Sequence, residues 1–115
     1  SLAGTQTLSL AGQIVQDADR LDAIGAIGIA RALYYSGHVG EKIYDPAIAP
    51  RENMTKAQYR EEPGTAINHF YEKLFKLEDL MNTATAKQLA HQRTQVMREF
   101  VAQFKAEWAA DDKLN

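Results

Sequence analysis

The 115-residue chain contains no cysteine, which removes disulfides and thiolate metal sites and suits a reducing, cytoplasmic compartment. It has no basic tract. Thirteen Lys and Arg against fifteen Asp and Glu leave a net charge of −2, which argues against general attraction to nucleic acid or to anionic membranes. No apolar run approaches the roughly 20 residues of a membrane-spanning helix, and no charged-then-apolar signal segment is visible. The three prolines all fall in the middle stretch, at 46, 50 and 63. What remains is ordinary for a globular domain, at 45% hydrophobic and 24% charged. The opening Ser-Leu-Ala-Gly reads like the middle of a protein.

What is present is organised around Ile14 to Leu33, IVQDADRLDAIGAIGIARAL. At about 100° per residue, Ile14, Val15, Ala18, Leu21, Gly25, Ala26, Ile29, Ala32 and Leu33 share one broad arc. The spacing predicts a central helix over 6–36 with that arc toward the core. Asp19 and Asp22 lie inside the arc, while Asp17, Arg20 and Arg31 lie on the other side with Gln16 and Tyr34. A desolvated carboxylate costs several kcal/mol unless it is paired, protonated or bound to a cation, so Asp19 and Asp22 require a partner. Periodicity leaves two kinds open. One is a core ion pair or a neighbouring helix end; the other is a role as metal ligand or catalytic acid. Gly25 and Gly28, beside Ala18 and Ala32, are expected to admit a close neighbouring helix rather than to bind phosphate.

Thr5 or Thr7 can cap the first helix. Residues 37–54 hold two glycines and two prolines with no stable period and read as a long loop, from which His38, Tyr44 or Asp45 can reach a site. Thr55 and Gln58 fit a capping box for a short helix over 55–62, stopped before Pro63-Gly64. Thr65 opens a helix over 65–82 with Ile67, Phe70, Tyr71, Leu74, Leu77 and Met81 as its core stripe. Beside that stripe His69, Lys73 and Lys76 follow at i, i+4 and i+7, a row of cationic donors able to hold phosphate oxygens. The plainer reading is a solvated face with a Glu72–Lys76 pair contributing a few tenths of a kcal/mol. Asn82 closes that helix, and Thr83, or Thr85 with Gln88 as a capping box, opens the last one over 84–110. Leu89, Val96, Met97, Phe100, Val101, Phe104 and Trp108 trace its apolar face, which is core or a homodimer surface. Arg93 interrupts that face, placed to pair with a buried acid or with substrate phosphate.

The segment QDADRLDAIGAIGIAR resembles the fourth motif of the HD superfamily of metal-dependent phosphohydrolases, in which an Ala-Asp-x-Leu segment on a helix supplies the last metal-binding Asp. Matched residue by residue, Ala18-Asp19-Arg20-Leu21 is that segment. HFYEKLFKLEDLMNTATAKQLAHQR, from His69 to Arg93, resembles the C-terminal half of the small single-domain bacterial members. The family takes its other ligands from an upstream His and an adjacent His-Asp pair; here the only histidines are His38, His69 and His91, and none precedes an Asp. The chain is therefore expected to be the C-terminal portion of one all-α HD-type domain, inactive by itself.

For the complete protein, the resemblance implies a cytoplasmic hydrolase of a nucleotide or related phosphate ester or anhydride. It implies a divalent cation such as manganese, magnesium or iron bound through Asp19 and upstream groups. Asp22 would orient a ligand or water, and His69, Lys73 and Lys76 would neutralise substrate phosphate. Neither nucleic acid nor membrane is expected as a partner. The competing reading is a non-catalytic helical interaction module whose Asp residues form structural ion pairs.

Overall fold

Ser9 starts the first helix by accepting the backbone N–H of Gly12 on its hydroxyl at 3.0 Å, a cap of about 1 kcal/mol and a later start than Thr5 or Thr7 would give. The computed structural model describes residues 7–52 and 64–114. Among them run α1 (Leu10–Leu21), α2 (Gly25–Val39), α3 (Ala66–Glu72), a 3₁₀ helix (Leu74–Leu80) and α4 (Ala84–Leu114). The architecture is all-α, with one isolated bridge between Lys42 and Thr65. The helix expected over 55–62 lies outside the described residues.

The single helix expected over 6–36 is two helices. The chain turns at Asp22 to Ile24, and Gly25 takes φ 73°, a left-handed conformation that glycine adopts without a Cβ clash. Gly25 packs against the aliphatic stem of Arg93, and a Cβ at Gly28 would lie 2.4 Å from the carbonyl oxygen of Ala23, so the two glycines permit this corner. Among the described residues Arg93 pairs with no acid. It donates to the carbonyl of Leu21 at 3.1 Å and so satisfies the end of α1. Small residues, Gly25, Gly28, Ala32 and Ser36, recur along the inner side of α2, which packs on α4.

The predicted arc faces the core from Leu21 onward, through Gly25, Ile29 and Ala32, and is reversed in direction over Ile14 to Ala18. Leu10, Ile14, Val15, Ala18, Asp19 and Asp22 are all exposed, Leu10 at 67% and Val15 at 69%. The polar stripe Gln13, Gln16, Asp17 and Arg20 faces the rest of the chain, and Asp17 is 3% exposed. The physical reason lies in the corner before α4, whose backbone groups need partners. Asp17 accepts the N–H groups of Asn82 (2.7 Å) and Thr83 (2.9 Å), and also the Thr83 hydroxyl. Arg20 donates to the carbonyl of Leu80, and Asn82 donates to Gln16.

Gly40, at φ 77°, ends α2 in the left-handed conformation, so the helix runs to Val39, past the end expected at residue 36. The following stretch is tied down rather than free: Ala66 and Ile67 donate backbone N–H groups to Lys42 and Ile43, completing the start of α3 beside the Thr65 cap. Asn68 donates to the carbonyl of Ile48, and Tyr44 meets Phe104 and Trp108 edge-on with centroids 5.8 and 5.2 Å apart. The expected 65–82 helix changes type at Lys73, whose φ −139° and ψ −55° leave the helical region. From there the turn tightens to about three residues, which aligns Leu74 with Leu77 in the core.

Every residue of the predicted α3 stripe is buried except Tyr71, which is half-buried and accepts a hydrogen bond from Lys105 at 2.9 Å. On α4 the buried positions are Ala86, Ala90, Thr94, Met97 and Val101, at steps of four, four, three and four. Leu89 and Val96, expected on that face, are turned outward. Thr83 caps α4 by accepting the Ala86 N–H, so Thr85 is not the cap. Asn82 likewise serves the start of α4 rather than the end of a helix before it.

Candidate functional site

Asp19 and Asp22 stand on the outer side of α1. Neither carboxylate has an ion pair or a hydrogen bond among the described residues, so the buried ion pairs of the competing reading are not formed by them. The backbone carbonyl of Asp22 accepts from Arg31 at 3.0 Å. The one buried acid of α1, Asp17, is tied to N–H and hydroxyl groups rather than to a cation. Burial raises its pKa, but the four hydrogen bonds from Asn82 and Thr83 outweigh that and hold the carboxyl below its ordinary range.

A cavity of about 430 Å³ opens between α2, α3 and the stretch leading to Arg51. Arg31, Arg51, His69 and Lys73 line it, with Glu41, Glu72 and the rim residue Tyr35. The cavity therefore joins His69 and Lys73 as the sequence predicts, but not Lys76. Lys76 lies past the change of helix type, where i+7 no longer returns to the same face. His69 is not a permanent cation. Burial, followed by the charge of Lys73, pushes its pKa below the ordinary imidazole value, with Arg51 adding to this and Glu72 offsetting part. At neutral pH it offers a neutral ring, with one N–H donor and one acceptor.

Glu72 does not pair with Lys76. It accepts the backbone N–H of Arg51 at 2.8 Å, the Nε at 2.9 Å and an Nη2 at 3.0 Å. Burial raises the Glu72 pKa, and these bonds more than reverse it, so the carboxylate is ionised. His38 is exposed, Tyr44 belongs to the aromatic cluster on α4, and Asp45 pairs with Lys42 while accepting the Ala47 N–H. None of these three lines the cavity. Among the described residues no three His, Cys, Asp or Glu side chains come together, so this part of the chain supplies at most part of a metal donor set.

The chain superimposes on a solved Lactobacillus plantarum protein at 82% identity and a TM-score of 0.85, over 93% of this chain and 50% of that one. It superimposes on an HD-superfamily hydrolase from Bacillus thuringiensis at 52% identity and a TM-score of 0.74, over 89% of this chain and 48% of that one. The chain belongs to the HD superfamily. YpgQ of Bacillus subtilis, an uncharacterized protein, is 43% identical over 98 residues, which are 85% of this chain and 40% of YpgQ. YpgQ has been crystallised in complex with ADP, and that structure gives a TM-score of 0.69. No family model matches. The chain thus spans half or less of the length of these relatives.

Within that superfamily fold, the sequence reading missed Arg31, Arg51 and Glu72. Arg31 follows Gly28 by three residues and Tyr35 follows Arg31 by four, so one edge of α2 could have been drawn through all three. Arg51 meets Glu72 across 21 positions, and no local spacing signals that contact.

Proposed function

We propose that the complete protein is a metal-dependent phosphohydrolase acting on a nucleotide or a related phosphate ester or anhydride, with Asp19 one of the metal ligands. The observation that carries this reading is the position of Arg31. Its guanidinium holds the backbone carbonyl of Asp22, and the same residue lines the cavity of about 430 Å³, which joins the end of α1 that carries Asp19 and Asp22 to a recess with cationic groups in its wall. Arg31 and Lys73 would neutralise phosphate oxygens there, with His69 giving a neutral hydrogen bond. Asp22 would orient a ligand or water beside Asp19. The remaining donors come from groups outside this chain, packed on the uncovered apolar side of α1 where Asp19 stands. A bound divalent cation would polarise a phosphoryl group and make a water nucleophilic, and oxygen and imidazole donors suit manganese, magnesium or iron alike. The ADP complex of YpgQ supports a nucleoside phosphate as the class of ligand.

The complete protein should release phosphate or pyrophosphate from a nucleotide panel when manganese is added. Asp19→Ala should abolish that turnover while its melting temperature without metal stays at the wild-type value. Undiminished turnover in Asp19→Ala would remove Asp19 from the site. The absence of metal-dependent turnover on every nucleotide would overturn the assignment.

A further inference from the structure

We propose that Arg51 serves the phosphate cavity by masking Glu72, as a positioning and charge-neutralising residue that does not itself contact the anion. The inference rests on the reading of the cavity as a phosphate site. The Glu72 side chain is 3% exposed, yet it lines a recess whose other charged walls are Arg31, Arg51 and Lys73 against the single carboxylate of Glu41. It sits one residue before Lys73 and three after His69, so a bare carboxylate there would repel phosphate and recruit the Lys73 ammonium.

Arg51 prevents this with three donors from a single residue, its backbone N–H, Nε and Nη2, all on the Glu72 carboxylate. Gly64 closes the other side of the guanidinium. A Cβ at that position would lie 2.6 Å from Nη2, so the planar group has little room to swing toward a ligand. With Arg51 in place the lining holds three permanent cations against the carboxylates of Glu41 and Glu72, and without it the charges cancel. Buried ion pairs seldom stabilise a fold more than apolar packing of the same volume would, so a pair this well formed is better explained by what it does for the cavity.

The test uses the complete protein in metal-free buffer, with ADP and inorganic phosphate as probes. Calorimetry gives the Kd, and the His69 ring resonances report whether the probe enters this cavity. Arg51→Met should weaken ADP binding by about tenfold or more, because it leaves Glu72 uncovered. The double variant Arg51→Met/Glu72→Gln, having no carboxylate to mask, should return to within about threefold of wild type, and Glu72→Gln alone should bind as tightly as wild type or more so. If Arg51→Met fails to fold, the double variant still decides. Binding near the wild-type value supports masking, and a loss as large as tenfold shows that Arg51 contacts the anion and overturns it. A wild-type protein that binds neither probe, with no shift at His69, would instead bring down the phosphate reading of the cavity and this inference with it.

Discussion

Asp17 and Asp19 are two residues apart on α1, and about 200° of helix rotation gives them opposite surroundings. Asp17 points inward and accepts the N–H groups of Asn82 and Thr83, just before α4; Asp19 points outward and has no partner among the described residues. Asp17 and Glu72 both have folded pKa values below the ordinary carboxylate value, so each stabilises the fold above that value and loses its contribution as pH falls through the lower folded one. Thermal melting followed from pH 7 down to about 2.5 should therefore show a steep decline below about pH 4, and Asp17→Asn should flatten part of it. Asp17→Ala should lower the melting temperature at pH 7 more than Asp19→Ala does; the reverse order would contradict these assignments. The sequence contained the helix and its polar and apolar stripes. It could not say which stripe faces inward, because hydrophobic periodicity assumes that apolar residues find a partner within the chain, and among the described residues Leu10, Ile14 and Val15 of α1 stay exposed.

The element that decides the cavity is α3 with the 3₁₀ helix behind it. One residue, Lys73, leaves helical geometry, and the row of His69, Lys73 and Lys76 drawn at 3.6 residues per turn is cut after its second member. Lys73→Ala should weaken ADP binding to the complete protein by about tenfold, the scale of one charge-assisted hydrogen bond, while Lys76→Ala stays within about twofold. Equal losses in titrations of the two variants would mean that Lys76 reaches the ligand after all. The apolar stripe of this element was legible because both helix types keep an i, i+3 relation, so Ile67, Phe70, Leu74 and Leu77 are buried under either geometry. The cationic row was not, since it depended on phase accumulated over seven residues. The pinning of residues 41–52 onto α3 was also out of reach, because it depends on contacts such as Arg51 to Glu72 and Asn68 to Ile48 across 20 or more positions.

At the scale of the molecule, α4 is 31 residues long in a structure whose longest dimension is 55 Å, and it forms the spine against which the other helices pack. The opposite side, along α1 and α2, is apolar and open: Leu10, Ile14, Val15 and Ile27 are exposed, with Tyr34 at 81%. In the complete protein this face should be covered. Ile27→Lys there should lower stability by about 2 kcal/mol, as for a large aliphatic side chain lost from an interior, while the 115-residue chain alone should gain solubility at no cost in melting temperature. Identical melting of wild type and variant in the complete protein would show that the face stays open to water. No helix among the described residues is long and apolar enough to cross a membrane. The all-α class and the Met97 and Val101 part of the α4 core were readable from heptad-like steps, whereas the burial of Ala86, Ala90 and Thr94 and the open face show only once the helices are set against one another. Because Gln16, Asp17 and Arg20 all grip the short corner from Leu80 to Thr83, and beyond them Leu21 is held by Arg93, α1 is fastened like a leaf at its stem end, with its turns before Gln16 outside that hold. Its amides should exchange with solvent as a group, ahead of those of α4, and acid that releases the Asp17 grip should quicken that exchange along the whole helix at once.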